Sequence, residues 1–303
     1  MLVSRLAPSP TGLLHPGNIW SFMLCWLAVR SGGGRLLLRM DDIDGPRSRP
    51  EFARAIIRDL RWLGFDWDGP IYWQSGRTHL YAETLETLRE RNLVYPCFCT
   101  RKELRGLASA PHMGEAAVYP GLCRDLAKEE REAKLAARLP FSLRIKTPDT
   151  SCVFNDLIQG ARSFPNHGGD IAARRSDDVY SYQFATAVDD FLLDVNLIVR
   201  GRDLLSSAPP QLYLRGLLGA KTVKFAHVPS LLSPDGERLA KRHKASSVAS
   251  MRERGVSPGK IIGEIAAMAG MNPEGADRTL RELIPRFSWD KIPREDLIWP
   301  DTL

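Results

Sequence analysis

Apolar positions come in short runs separated by Pro-, Gly- and charge-rich punctuation. Residues 2–7 have the length of a strand, 18–30 (NIWSFMLCWLAVR) read as a buried helix, and RLLLRM (35–40) reads as a second strand ending in the acidic cluster DDID. A strand, a helix and a strand within forty residues predict a βαβ unit, with a parallel sheet and the crossover helix packed on one face. RPEFARAIIRDLRWLGF (49–65) then has the spacing of an amphipathic helix closed by Gly64, and HLYAETLETLRERNLVY (79–95) that of another.

Between 96 and 176 the α/β rhythm breaks. This stretch holds a cysteine-bearing loop, a charged helix (DLAKEEREAKLAARL) and the strand-like segments FSLRIK and CVFNDLI, so it reads as an insertion. The α/β pattern resumes over 179–205, continues through a helix PQLYLRGLLG and the apolar KFAHVPSLL, and meets a Lys/Arg-rich loop at 233–247. Beyond 248 the chain reads as short helices with Pro and Gly stops. The expected fold class is α/β, a Rossmann-type parallel sheet split by an α/β insertion and followed by a small helical region. The boundaries that follow are 1–75 with 177–235 for the sheet domain, 76–176 for the insertion and 236–303 for the basic loop and helical end.

Composition changes the picture modestly. Lys and Arg exceed Asp and Glu by six, which favours a polyanionic partner. The apolar stretch 18–29 is too short to span a bilayer and follows a polar loop without a basic leader, so a cytoplasmic protein away from membranes is expected. Five cysteines, three of them (Cys97, Cys99, Cys123) close in sequence, suit a reducing compartment and one metal site better than a disulfide framework. Three thiolates leave tetrahedral zinc short of a ligand, and His112 is the first candidate on chemistry alone. Composition does not fix an oligomeric state; a monomer is expected.

Two segments carry candidate chemistry. In RLAPSPTGLLHPGNIW (5–20) a strand runs into two prolines and a turn before the helix begins, with Asn18 as a candidate N-cap. Ser9, His15, Gly17 and Asn18 then lie beyond a strand end and beside a helix N-terminus, where phosphates bind in open parallel sheets. Far along the chain, ERLAKRHKASS sets Lys241 among Arg238, Arg242 and Lys244, a charge density suited to polyphosphate.

Together these two segments resemble the HIGH and KMSKS signatures of class I aminoacyl-tRNA synthetases. RLAPSPTGLLHPGN, LLLRMDDIDGPR, YSYQFATAVDD, IVRGRDLL and FAHVPSLLSPDGERLAKR, in this order, are similar to the glutamyl-tRNA synthetase group across most of residues 3–245. His15-Pro16-Gly17-Asn18 keeps the first and third residues of HIGH, and Arg238-Leu239-Ala240-Lys241-Arg242 has Arg and Ala where the signature has its first lysine and its serine. The resemblance implies activation of L-glutamate by ATP with Mg²⁺. His15, Gly17, Asn18 and Lys241 would lie on ATP, and His15, Lys241 and Arg242 would stabilise the transferring phosphates. It implies a glutamate pocket of Arg5, Ser9, Asp41, Tyr182 and Arg200. Asp41 stands where the group usually has glutamate facing the ammonium, so that contact could pass to Asp42 or Asp44. Arg200 could instead pair with Asp189 or Asp190, and Thr186 stands where the group carries a pocket asparagine.

Cys-x-Cys with Tyr-x-x-x-Cys resembles the zinc insertion of glutamyl-queuosine tRNA(Asp) synthetases, which would make Tyr119 the fourth ligand beside Cys97, Cys99 and Cys123. That resemblance, with a chain that ends soon after the helical region, implies transfer of glutamate to queuosine in tRNA(Asp). It also implies that 76–176 is acceptor-binding-like and 236–303 stem-contact-like. A truncated glutamyl-tRNA synthetase charging a tRNA 3′ end, a small-molecule nucleotidyltransferase of the same superfamily and a non-catalytic RNA- or partner-binding paralogue are the alternatives.

Overall fold

The computed structural model describes residues 1–45, 47–100, 102–104, 119–237, 239 and 247–300. Strand β1 (Val3–Leu6) pairs in parallel with β2 (Arg35–Met40), and β2 with β3 (Ile71–Trp73). Between β1 and β2 runs helix α1 (Pro16–Ser31), in which every residue from Ile19 to Val29 is buried. So uniform an apolar helix needs cover on all sides. It packs on β1 and β2 and against the C-terminal helices, sharing a core with Leu38, Val199, Ile265 and Leu283.

Helix α2 (Pro50–Trp62) ends ahead of Gly64, whose φ of 88° suits glycine. Helix α3 (Thr78–Glu90) is shorter than the expected 79–95. Asn92 turns the chain with φ 56°, and the apolar residues after it form β4 (Val94–Cys97) instead of another helical turn. After helix α4 (Lys128–Ala136), strand β5 (Ser142–Ile145) lies between β4 and the later β8 (Ile171–Arg174) in an antiparallel sheet.

Strand β6 (Cys152–Asp156) forms a hairpin with β7 (Gly160–Phe164), and its Asp156 pairs in parallel with Phe225 of β10 (Lys224–Val228). The stretch expected wholly within the insertion therefore also contributes strands to the sheet beside the site. Helix α5 (Tyr182–Leu192) leads into β9 (Leu197–Gly201), which pairs in parallel with β10, and α6 (Ala208–Leu217) connects the two. Strand β9 adjoins β1: Asn196 N–H donates to the Val3 carbonyl at 3.0 Å and Ser4 Oγ to the Leu197 carbonyl at 2.7 Å. β1 is thus flanked by β2 and β9, the reversal of strand order beside which open α/β sheets bind ligands. Short helices α7 (Val248–Glu253), α8 (Pro258–Met268) and α9 (Leu280–Leu283) complete the fold. No helix among the described residues is long and apolar enough to cross a membrane.

Candidate active site

Beyond the carboxyl ends of β1, β2, β9 and β10 lies a cavity of about 490 Å³. Eight expected site residues line it: Arg5, Ser9, His15, Gly17, Asn18, Asp41, Tyr182 and Arg200. Lys241, Arg242, Arg238, Lys244 and His112 lie outside the described residues. The flanks of the basic loop do reach the site, since Leu239 lines the cavity and Val248 N–H donates to the Leu14 carbonyl at 2.8 Å.

The proline-rich segment after β1 is tied down by its backbone. Asp41 N–H donates to the Pro8 carbonyl and Arg49 N–H to the Pro10 carbonyl, both at 2.9 Å. Helix α1 starts at Pro16, whose fixed φ suits the first helical position. His15 is therefore the N-cap. Asn18, expected in that role, is the third helical residue, and its Oδ1 accepts the His15 backbone N–H at 3.1 Å. A Cβ at Gly17 would stand 3.0 Å from Cε1 and Nδ1 of the His15 ring, so only glycine lets the ring lie against the helix start. Burial lowers the His15 pKa to about 4 against the opposing pull of Asp203, leaving a neutral ring whose Nδ1 is buried without a partner among the described residues.

On the other side of the cavity an ion network fixes the carboxylates. Arg39, fully buried, donates from Nε and Nη2 to the two oxygens of Asp41 at 2.6 and 3.1 Å, and from Nη1 to Asp190 Oδ1 at 2.7 Å. Arg5 Nε donates to the same Asp190 oxygen at 3.0 Å. Burial opposes the charge of Asp190, but Arg5 and Arg39 outweigh it and hold its carboxyl below the usual range. Asp189 accepts from Gln74 Nε2, Arg77 Nε and the Tyr81 hydroxyl at 3.0, 2.6 and 2.7 Å. Asp42 instead accepts from Ser75, and Asp44 from Arg47, so of these acidic residues Asp41 is the one that faces the cavity.

Arg200 pairs with neither Asp189 nor Asp190. Its Nε donates to His227 Nε2 at 3.0 Å, and its Nη1 to Gln211 Oε1 at 2.6 Å and to the Tyr182 hydroxyl at 3.4 Å. Its Nη2 is buried without a partner among the described residues. Burial pulls its pKa down. A buried guanidinium held by neutral acceptors is suited to an anionic ligand. Sequence alone assigns no role to Arg39, Gln211 or His227, and Asp190 enters the sequence reading only as a possible partner of Arg200. The available signals were a charge in the apolar strand RLLLRM, an Asp pair in the apolar helix 182–192 and a histidine in KFAHV.

The cysteines converge elsewhere, at the end of β4. The sulfurs of Cys97, Cys99 and Cys123 lie within 4.8 Å of one another, Cys99 and Cys123 at 3.6 Å, and all are free thiols. The Tyr119 hydroxyl oxygen stands 3.3 Å from Cys97 Sγ and 3.7 Å from Cys99 Sγ and accepts the Cys123 backbone N–H at 2.8 Å. Tetrahedral zinc–thiolate bonds of about 2.3 Å place sulfurs roughly 3.8 Å apart, so this donor set could hold a metal ion.

Residues 1–290 match the family described as tRNA synthetases class I (E and Q), catalytic domain. The chain is 47% identical to the glutamyl-Q tRNA(Asp) synthetase of Nitratidesulfovibrio vulgaris, over 99% of this chain and 96% of that protein. It is 45% identical to the protein of the same name from Symbiobacterium thermophilum, with the same two coverages. Its fold is similar to the crystal structure of a glutamate tRNA ligase from Elizabethkingia meningosepticum in complex with its amino acid. That likeness has a TM-score of 0.83 and 26% identity, over 99% of this chain and 67% of the other.

Proposed function

The chain belongs to the class I tRNA synthetases of the E and Q type, and from that premise we propose that it activates L-glutamate with ATP and transfers it to queuosine at the wobble position of tRNA(Asp). The observation that carries this reading is one cavity lined by Arg5, Arg200, Tyr182 and Asp41 on one side and by the N-terminus of α1 on the other. Glutamate brings two carboxylates and one ammonium; on one side the cavity offers the guanidiniums of Arg5 and Arg200 with the fixed carboxylate of Asp41, while the cavity's second carboxylate, Asp203, acts on His15. The names of the two relatives support this choice of acceptor.

In the first step the glutamate α-carboxylate attacks the α-phosphorus of ATP. A carboxyl–phosphate bond forms, and the bond to the β-phosphate breaks to release pyrophosphate. The attacking group is already ionised, so alignment and charge neutralisation matter more than a base. His15, held neutral, donates a hydrogen bond to a phosphate oxygen, and the α1 N-terminus adds its dipole. Lys241 and Arg242 supply positive charge to the departing pyrophosphate, with Mg²⁺ entering alongside ATP. In the second step a hydroxyl of queuosine's cyclopentene-diol attacks the activated carbonyl, its proton is lost, AMP leaves and an ester remains.

In this reading Cys97, Cys99, Tyr119 and Cys123 hold a structural zinc, since a closed four-ligand shell leaves no position for reacting water. Apart from the β6–β7 hairpin, which joins the sheet beside the site, 76–176 faces the RNA together with the helical part of 236–303; the domain of 1–75 with 177–235 carries the chemistry with Lys241 and Arg242 of the basic loop, and the protein works in the cytoplasm as a monomer. The test uses labelled glutamate. Label should appear on tRNA(Asp) containing queuosine, be absent from tRNA(Asp) with guanosine at that position, and travel with an anticodon fragment after nuclease cleavage. Label at the 3′ adenosine of tRNA(Glu) would identify a standard glutamyl-tRNA synthetase instead.

A further inference from the structure

Arg200 is aimed from behind by a chain of neutral and anionic groups that never touches the cavity. Asp156, at the end of β6, accepts the backbone N–H of Ile158, Gln159 and His227 on Oδ1 at 3.0, 2.9 and 3.1 Å. Its Oδ2 faces His227 Nδ1 at 2.6 Å, so Nδ1 carries the proton. His227 Nε2 then presents a lone pair to Arg200 Nε at 3.0 Å. The ring is fully buried and stacks on Phe225 with centroids 5.5 Å apart. Burial lowers the His227 pKa to about 4, against the pull of Asp156 and the Leu204 carbonyl and with the help of Arg200.

We propose that Asp156 and His227 are positioning residues for the glutamate-binding arginine, Asp156 setting the imidazole tautomer and His227 fixing the guanidinium without neutralising it. The inference deepens the glutamate-activation reading and rests on it. A carboxylate bonded directly to Arg200 would fix the side chain equally well, but it would compete with the substrate's carboxylate for the same charge. A neutral imidazole orients the guanidinium and leaves that charge for the ligand. The carboxylate that holds the imidazole is itself satisfied by three backbone N–H groups, which disperses its charge one residue further from the cavity.

Two substitutions separate this role from packing. His227→Phe keeps the ring and its stack on Phe225 but removes the acceptor, whereas His227→Gln returns an amide oxygen near the Nε2 position. In glutamate-dependent ATP–pyrophosphate exchange, His227→Phe should raise KM for glutamate roughly tenfold or more while KM for ATP and kcat change little, and His227→Gln should recover most of the loss. An unchanged glutamate KM in His227→Phe, an equal rise for ATP, or no recovery in His227→Gln would overturn the proposal.

Asp156→Asn gives an independent arm that survives if His227→Phe does not fold. With its amide oxygen on the three backbone N–H groups, the substituted side chain turns an NH₂ toward Nδ1 of His227. That forces the proton onto Nε2, where it opposes the Arg200 Nε–H. Imidazole ¹⁵N NMR on the intact apo protein should find His227 neutral and protonated on Nδ1, and find the proton moved to Nε2 in Asp156→Asn. An Nε2–H tautomer in the wild type, or no change in the variant, would overturn the proposal. Absence of any glutamate-dependent exchange by the wild-type protein would overturn the functional reading, while the NMR result would still decide the tautomer.

Discussion

Asp41 and Arg39 are joined by two hydrogen bonds, 2.6 and 3.1 Å long, across a single intervening residue at the end of β2. Alternation along a strand puts both side chains on one face, and the pairing pins the carboxylate at the cavity edge. Arg39 is itself shared with Asp190, so Asp41 balances only part of its charge. Burial raises the Asp41 pKa against the pull of Arg39.

Asp41→Asn keeps the shape and removes the charge available to the substrate ammonium. We expect KM for glutamate to rise about ten- to a hundredfold, corresponding to roughly 1.5–3 kcal/mol for a charge-assisted hydrogen bond, with KM for ATP unchanged. Exchange kinetics measure both. A variant with the wild-type glutamate KM would move the ammonium contact elsewhere.

Gly17→Ala should be nearly silent in stability and costly in turnover. Alanine is the better helix former by about 1 kcal/mol, and the helix start has no positive φ to preserve at this position. The new methyl would press the His15 ring from 3.0 Å, displacing the group proposed to meet the phosphates. A fall in kcat of roughly tenfold with Tm held is the expected signature, since the lost contact belongs to the transition state. A stable variant with full kcat would remove His15 from the phosphate site.

Much of this was legible because it is local. The βαβ start and the strand–loop–helix junction follow from spacing and from residues with fixed backbone habits. What escaped depends on groups distant in sequence: Arg39 meets Asp190 across 151 residues and His227 meets Asp156 across 71. A charge in an apolar strand announces that it has a partner but not which one. The same limit explains the strands within 152–164, whose place beside β10 is set by a tertiary pairing no local pattern contains. Asn18 misled for a different reason. Its residue type suits an N-cap, but Pro16 starts the helix two residues earlier, and the asparagine reaches back to the backbone of the residue that takes that role.

The cysteine cluster predicts one zinc per chain, detectable by elemental analysis of protein purified without chelator. Cys123→Ser should lose the metal and lower Tm by several degrees, because structural zinc sites contribute directly to folding. Tyr119→Phe removes both a donor to the metal and the acceptor of the Cys123 N–H. It should reduce zinc retention, whereas His112→Ala should not. The reverse pattern would assign the fourth position to His112.

The half-buried imidazole of His15 and the buried one of His227 make stability depend on pH with a definite sign. His15 and His227 titrate near 4 in the folded protein but near the ordinary 6.5 when unfolded. Their contribution is therefore fully present above pH 6.5 and is lost as the pH falls toward 4, because the unfolded chain takes up protons that the folded one refuses. Asp41 and Asp59, whose carboxyls burial raises, pull the slope the other way at the acid end of this window. The share of one histidine is isolated by comparing wild type with His15→Gln in denaturant unfolding at a series of pH values. Near pH 5 the variant's stability should depend on pH less steeply, by on the order of 1 kcal/mol per pH unit, the linkage of nearly one proton. Coincident slopes would mean that the His15 ring protonates as readily in the folded protein as in the unfolded chain, and it would then meet phosphate as a cation and not as a neutral donor.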